Sequence, residues 1–328
     1  MMPPVVPDDA PVDVQISNGG TSLESVKVKE MSIHPFSADQ EYAKTTTLLK
    51  KSDIDELTDW VKQQPHLPAD ITEEQLILFH HSCYYKMEDT KNCIKVYFSL
   101  RIGSSEYFVK RDVNTPSLQQ ALNTLEYGIF PVRNPNGYQI IFHRLRICDA
   151  SKYVFVDGVK LLAMAIDACN FVEGTLPGYV FLFDMKGVKL AHLTRLNLSQ
   201  LKKFFSYVQE GLPVRLKAIH VLNTRPIIDK IMLLVRPFMK KELLNMIHFH
   251  AADNLEEVYQ FLPPYCLPSD FGGELQNCEQ LHADFIKWMD KLKKHFEEDE
   301  KKYTFVNTKK KDNLLKTEKD DFHDLAID

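Results

Sequence analysis

The side chains with chemistry to offer are few and scattered. "FHHSCYY" sets His80 and His81 beside Cys83, and "MIHFH" sets His248 and His250 two residues apart. These are zinc-ligand residue types. Adjacent histidines on a helix point in different directions, whereas an alternating pair on a strand shares a face. Neither group has a third ligand nearby at a familiar spacing, so both read as core or surface histidines and no metal is expected. Asp184 in "FLFDMKG" follows an apolar run, where catalytic carboxylates of α/β enzymes often lie. An acidic residue before a Gly turn is also commonly a turn former, and no partner base is apparent. The chain has no G-x-G-x-x-G, no phosphate loop ending in G-K-[ST], no G-x-S-x-G and no H-E-x-x-H. Its 12 glycines leave room for few backbone phosphate cradles. No catalytic residue, cofactor or enzymatic activity is expected.

A different signal comes from "RPIIDKIMLLVRPFM", residues 225–239. Between Pro226 and Pro237 stand Ile227, Ile228, Ile231, Met232, Leu233, Leu234 and Val235, with only Asp229, Lys230 and Arg236 polar. A helix of this length spans about 15 Å, short of the roughly 20 residues a bilayer requires. Its apolar residues exceed one amphipathic stripe, so it is either buried between layers or covers an apolar cavity. The neighbours "YVFLF", "FFSYV" and "LKAIHVL" bring more bulk than a small sheet between two helical layers needs, which favours the cavity.

The elements that must position these residues are organised simply. The 328 residues suffice for one large or two modest domains, and 44% hydrophobic with 26% charged residues is ordinary for a soluble protein. A net charge of -5 offers no global attraction to nucleic acid. The six cysteines form no C-x-x-C pair and read as reduced core residues of a cytoplasmic protein. The opening "MMPPVVPDDAPVDV" has no basic segment followed by an apolar one, and no run approaches 18 apolar residues, so neither a cleaved signal nor a membrane span is expected.

Residues 1–30 are too poor in large apolar groups to offset ordering entropy and read as a disordered tail. Residues 31–115 read as a small helical domain of three short helices, "SDIDELTDWVKQQ", "TEEQLILFHHSCYY" and "EDTKNCIKVYFSLR". From 116 to 275 strand patterns ("GYQIIFHRLR", "GYVFLFDM", "VRLKAIHVLN", "NMIHFH") alternate with helical ones, which predicts an α/β layer with a mostly parallel sheet. "LSQLKKFFSYVQE" is an amphipathic helix capped by Asn197 or Ser199. Residues 276–298 form a helix with Leu281, Phe285, Trp288, Met289, Leu292 and Phe296 on one face. A charged flexible tail is expected from 299 to 328, its basic cluster Lys309–Lys311 flanked by acids.

This order of elements resembles the CRAL-TRIO lipid-binding family, nearest to its tocopherol-transfer and retinaldehyde-binding branch. "GYVFLFDMKGV" is similar to the family's strand ending in Asp and then Gly. "VRLKAIHVLNTRPIIDKIMLLVRPFMKKELLNMIHFH" resembles its signature of an I-H-x-[IV]-N strand, a mobile helix, a K/R-P-F turn and an I-x-x-H strand. "LEEVYQFLPPYCLPSDFGGEL" resembles its closing segment. The resemblance implies an N-terminal helical domain followed by a mixed, mostly parallel sheet flanked by helices that enclose a hydrophobic pocket, gated near 226–236. Pocket positions carried over are His143 in the first strand, Leu161, Leu162 and Ala165 in the next helix, and Phe183 in the aromatic strand. They continue with Leu196, Phe204, Tyr207 and Val208, then Leu216 and Ile219, and under the gate Ile228, Ile231, Met232 and Val235. His143 and Tyr207 are the expected polar partners of a ligand.

The implied function is non-enzymatic carriage of a tocopherol, retinoid, carotenoid or similar isoprenoid between membranes, by a protein expected to be monomeric and to touch membrane surfaces transiently. Phospholipid or phosphoinositide transfer, or a regulatory module binding a protein partner, are the alternatives. The chain departs from the family where Leu78, His81 and Cys83 stand at positions that are commonly arginine, and where Glu242 and Met246 replace gate-side basic residues. Arg215 stays basic, and Lys217, Arg236, Lys240 and Lys241 are the remaining candidates for a phosphate, read equally as solvated charge.

Overall fold

Five strands, Leu125–Ile129 (β1), Gln139–Leu145 (β2), Tyr179–Asp184 (β3), Leu216–Leu222 (β4) and Ile247–Phe249 (β5), form one sheet in the order β1-β2-β3-β4-β5. β1 is antiparallel to β2, and the other pairs are parallel. The computed structural model describes residues 32–44, 48–224, 227–251 and 255–302. The N-terminal tail, Pro226 and the Lys309–Lys311 cluster lie outside the described residues.

Parallel strands are covered on both faces, so their residues are apolar in both directions. Ile140 and Phe142 of β2, Val180 and Leu182 of β3 and Leu222 of β4 pack with Val258, Leu262, Phe271 and Leu281 on one side. Ile141, Phe181, Ile219 and Val221 face the other side, where the long helix Phe155–Glu173 crosses. That helix is buried without a break from Gly158 to Asn170.

The N-terminal unit contains Lys51–Lys62, Glu73–Ser82 and Met87–Gly103, where the sequence predicts three helices, together with the short turns Ala38–Tyr42 and Ser105–Phe108. The third is 17 residues, longer than the short helix expected. β1 was not expected at all: "LEYGI" is five residues long and includes Glu126 and Gly128, which are poor strand formers, yet all five residues are buried. Its free edge is closed by the helix Cys278–Lys291. His282 Nδ1 accepts the Tyr127 N–H at 3.1 Å, which leaves Nε2–H to donate to the Leu122 carbonyl at 2.9 Å. A sheet edge capped in this way cannot template strand addition. Leu281, Phe285, Trp288, Met289, Leu292 and Phe296 are all buried.

The flexible tail was placed from 299, yet residues 293–302 are helical and Asp299 is buried. The reason is electrostatic. Arg111 meets Asp299 at 2.6 Å and Asp167 at 2.8 Å, while Arg101 meets Asp167 at 2.6 Å and Asp299 at 3.1 Å. Burial alone would raise the Asp299 carboxyl, but the Arg111 and Arg101 guanidiniums outweigh it and hold it at about 2. Removing one member strands the opposite charge in the interior. Asp167→Ala is expected to destabilise the protein by about 3–5 kcal/mol, read from the urea midpoint; a loss below about 1 kcal/mol, the value of a surface pair, would show that the cluster does not brace the fold.

Candidate functional site

A cavity of about 210 Å³ lies between the sheet and the helix Ile228–Val235. The sheet supplies one wall from residues in register across three strands: Tyr127 opposite His143, and His143 opposite Phe183. These side chains share a face because strand residues alternate with period two. Phe155, Gly158, Val159 and Leu162 of the long helix form the second wall at helical spacing. The third comes from Leu201, Phe204 and Phe205 of the helix Leu198–Ser206, whose start Asn197 caps by accepting from the Ser199 and Gln200 N–H groups. The segment from Met185 to Leu196 adds Val188, His192 and Leu193, and Ile231 and Val235 roof the space.

Seven of the carried-over positions therefore meet at one cavity: His143, Leu162, Phe183, Leu196, Phe204, Ile231 and Val235. The others do not line it. Leu161 and Ala165 are fully buried in the main core and are not among the lining residues. Leu216 and Ile219 belong to the core beneath β4. A π-helical turn, Tyr207–Gly211, follows Ser206 and rotates the chain, so Val208 packs into the core and the Tyr207 hydroxyl accepts from Arg101 at 2.8 Å. Tyr207 serves the buried ion cluster, where a ligand partner was expected. Ile228 and Met232 are half-buried outside the lining, and Leu233 is 81% exposed.

The polar groups of the lining sit near one another. The Tyr127 ring stacks on His143 at 5.1 Å, and Tyr153 meets His192 edge-on at 5.8 Å. Tyr127 donates its hydroxyl to the Gly158 carbonyl at 2.7 Å. Nδ1 of His143 and Nε2 of His192 are enclosed without a hydrogen-bond partner. Burial holds the His143 imidazole down at about 4 and lowers that of His192 as well, so both rings are neutral at pH 7. Asp184 is a turn former here: its Oδ1 accepts the Lys186 N–H at 2.8 Å and Asn223 Nδ2 at 2.6 Å. Gly187 closes that turn at φ +81°, and a Cβ there would strike Cys148 Sγ. The sequence singled out neither His192 nor Tyr153, because "KGVKLAHLTRL" reads as a polar connection.

The histidines of the sequence motifs are structural. His80 pairs with Thr90 Oγ1 at 3.0 Å and with Asp53 at 3.4 Å. His248 and His250 stack on His220 at 4.9 and 5.2 Å, and His220 Nδ1 meets His250 Nε2 at 2.9 Å. Among the described residues no three His, Cys, Asp or Glu side chains are placed to hold a metal ion. The phosphate candidates divide. Arg215 donates to the His81 carbonyl at 2.8 Å and covers the Tyr84 ring, and Lys217 donates to the Tyr84 hydroxyl at 3.2 Å; with Lys44 and Arg133 they line a separate open recess. Lys240 pairs with Glu210 at 2.5 Å, and Arg236 and Lys241 are exposed.

An unfolded imidazole binds a proton near pH 6.5, whereas folded His143 resists until about pH 4 and His220 until about 3. The stability gained by keeping them neutral is fully present above pH 6.5 and drains away as pH falls toward those values. Urea midpoints should decline from pH 6.5 to 4, less steeply for His143→Phe; identical slopes for the two proteins would contradict this assignment.

Comparison with known proteins adds to this geometry. Residues 123–273 match the family described as "CRAL/TRIO domain", and residues 47–118 match "Pinta-like, UBA domain". The chain is 26% identical over 223 residues to "Alpha-tocopherol transfer protein-like" of Mus musculus, covering 67% of this chain and 64% of that protein. It therefore spans slightly less than two-thirds of that relative's length. It is 26% identical over 259 residues to "Clavesin-2" of Homo sapiens, covering 76% of each. A solved structure, "Crystal structure of Sfh5", is similar over 71% of this chain and 90% of that one, with 14% identity and a TM-score of 0.47.

Proposed function

Residues 123–273 are a CRAL/TRIO domain, which places the chain in the CRAL/TRIO lipid-binding family, and from that premise we propose that it carries a small hydrophobic ligand between membranes. The observation behind this reading is the apolar cavity under Ile231 and Val235. The relatives' names include a tocopherol transfer protein-like protein, so an isoprenoid is the ligand class we propose.

Burying roughly 500 Å² of ligand at about 25 cal/mol per Å² offers on the order of 12 kcal/mol before immobilisation costs. The cavity is smaller than the roughly 300–1,000 Å³ of ordinary ligand pockets, so a long ligand enters only if the roof moves outward. The helix Ile228–Val235 is suited to that: Val235 is its single buried residue, and Leu233 already projects into solvent. A displaced roof exposes Ile231 and Val235, which share a helix face with half-buried Ile228 and Met232, and a bilayer interface would receive that apolar face. Among the described residues no helix is long and apolar enough to cross a membrane, so contact with lipid would be peripheral.

Native mass spectrometry with solvent extraction of the purified chain is expected to reveal an apolar passenger, and Leu162→Trp, which fills the cavity, to lose it while remaining folded. A passenger-free protein whose unfolding temperature ignores added retinol and α-tocopherol would sink the reading. The alternative, phospholipid or phosphoinositide carriage, draws on the recess at Arg215 and Lys217; faster transfer of labelled phosphatidylcholine than of retinol between vesicles would favour it.

A further inference from the structure

The cavity's polar groups restrict the chemistry of what it takes, and this step rests on the ligand-binding reading above. Among the described residues the lining contains no lysine and no arginine, but it does contain the Asp184 carboxylate. Its other ionisable groups are the phenols of Tyr127 and Tyr153 and the imidazoles of His143 and His192. The Tyr127 hydroxyl is committed to the Gly158 carbonyl.

His192 Nδ1 lies 3.0 Å from the Lys189 N–H and 3.3 Å from the Lys189 carbonyl. The amide hydrogen is fixed and its contact is the shorter, so we assign Nδ1 as the acceptor and place the proton of the neutral ring on Nε2. That Nε2–H is buried and has no acceptor. A buried donor left unmade is a standing cost, and a ligand oxygen beside it would remove that cost. His143 adds a second imidazole nitrogen without a partner in the same lining.

We propose that the cavity selects neutral ligands bearing one carbonyl or hydroxyl oxygen, which accepts the His192 Nε2–H, and that it rejects carboxylic acids of the same hydrocarbon shape. A carboxylate would leave water for an apolar chamber with no lining cation and with Asp184 at its wall, so it would lose hydration without gaining a counter-charge. Forming an ion pair would require His143 or His192 to take up a proton that burial keeps away. An aldehyde, alcohol or ester gives up far less hydration and satisfies the waiting donor. Pure hydrocarbon enters but leaves the donor unmade.

The test holds the hydrocarbon constant. The full chain is loaded with the uncharged fluorescent probe N-phenyl-1-naphthylamine at neutral pH and challenged with dodecane, dodecanal, 1-dodecanol and dodecanoic acid. Dodecanal and dodecanol are expected to displace the probe at concentrations about tenfold below the acid. His192→Asn keeps an oxygen for the Lys189 N–H and removes the Nε2 donor. It should weaken dodecanal about tenfold without changing dodecane, and His192→Gln, whose amide reaches the Nε2 position, should recover the difference. Dodecanoic acid displacing as well as dodecanal overturns the proposal, an outcome that needs no variant. So does equal weakening of dodecane and dodecanal in His192→Asn, which marks a purely structural histidine. If neither the probe nor any of the four compounds binds, the ligand-carrier reading itself has failed and this proposal falls with it; binding without selectivity refutes only the selectivity.

Discussion

Arg101, near the end of the N-terminal helical unit, and Arg111, in the loop that follows, reach Asp167 of the long central helix and Asp299 of the C-terminal helix in one buried cluster. Four separate parts of the chain are joined there, and Tyr207 adds its hydroxyl from the π-helical turn. Taking four charges out of water is costly, and the arrangement survives because each carboxylate meets two guanidiniums. Its value is positional. With Asp167 fixed, the rotation of the central helix is fixed, and so Phe155, Gly158, Val159 and Leu162 face the sheet across a gap while Leu161 and Ala165 turn into packed core. The cluster also explains why the C-terminal helix stays docked past the point where its sequence becomes uniformly charged.

The chamber stays open because its walls are each braced from outside. The far face of the sheet is covered by Val258, Leu262 and Phe271, and β1 is sealed by His282. Large aromatic side chains at His143, Phe183, Phe204 and Phe155 meet edge to face, which leaves gaps that smaller residues would close. The roof is held more weakly. Ahead of its start Thr224 Oγ1 donates to the His250 carbonyl, and beyond its end Gln209 Nε2 donates to the Phe238 carbonyl and Gln209 Oε1 accepts the Lys240 N–H. An element with few buried apolar contacts is where local opening concentrates. Rigid walls and a loosely held roof support the proposed carrier reading, in which a guest is enclosed in transit and released at a surface.

Much of this was visible in residue order. Strands β2, β3 and β4 announce themselves by apolar runs bounded by turn signals, Asn197 caps its helix, and the apolar stretch between Pro226 and Pro237 is a short helix from Ile228 to Val235. The family motifs placed seven of the carried-over pocket positions on one cavity. β1 escaped because its five residues are a short stretch that includes Glu126 and Gly128, and its burial comes from distant segments packed on it. Tyr207 was misplaced because a single π-helical turn changes the angular phase of every residue after it, and the tail boundary at 299 was misplaced because the partners of Asp299 lie 188 and 198 positions earlier.

The sequence by itself determined strands β2 to β5 and most of the helices, and it pointed to more bulk than a solid core needs, since these follow from periodicity and side-chain volume. Only the tertiary structure decided which apolar residues look into the chamber, that His192 stands there with an unanswered N–H, and that four distant charges share one buried site. Local pattern sets the period of an element; its rotation and its neighbours are set by packing against segments far away in the chain.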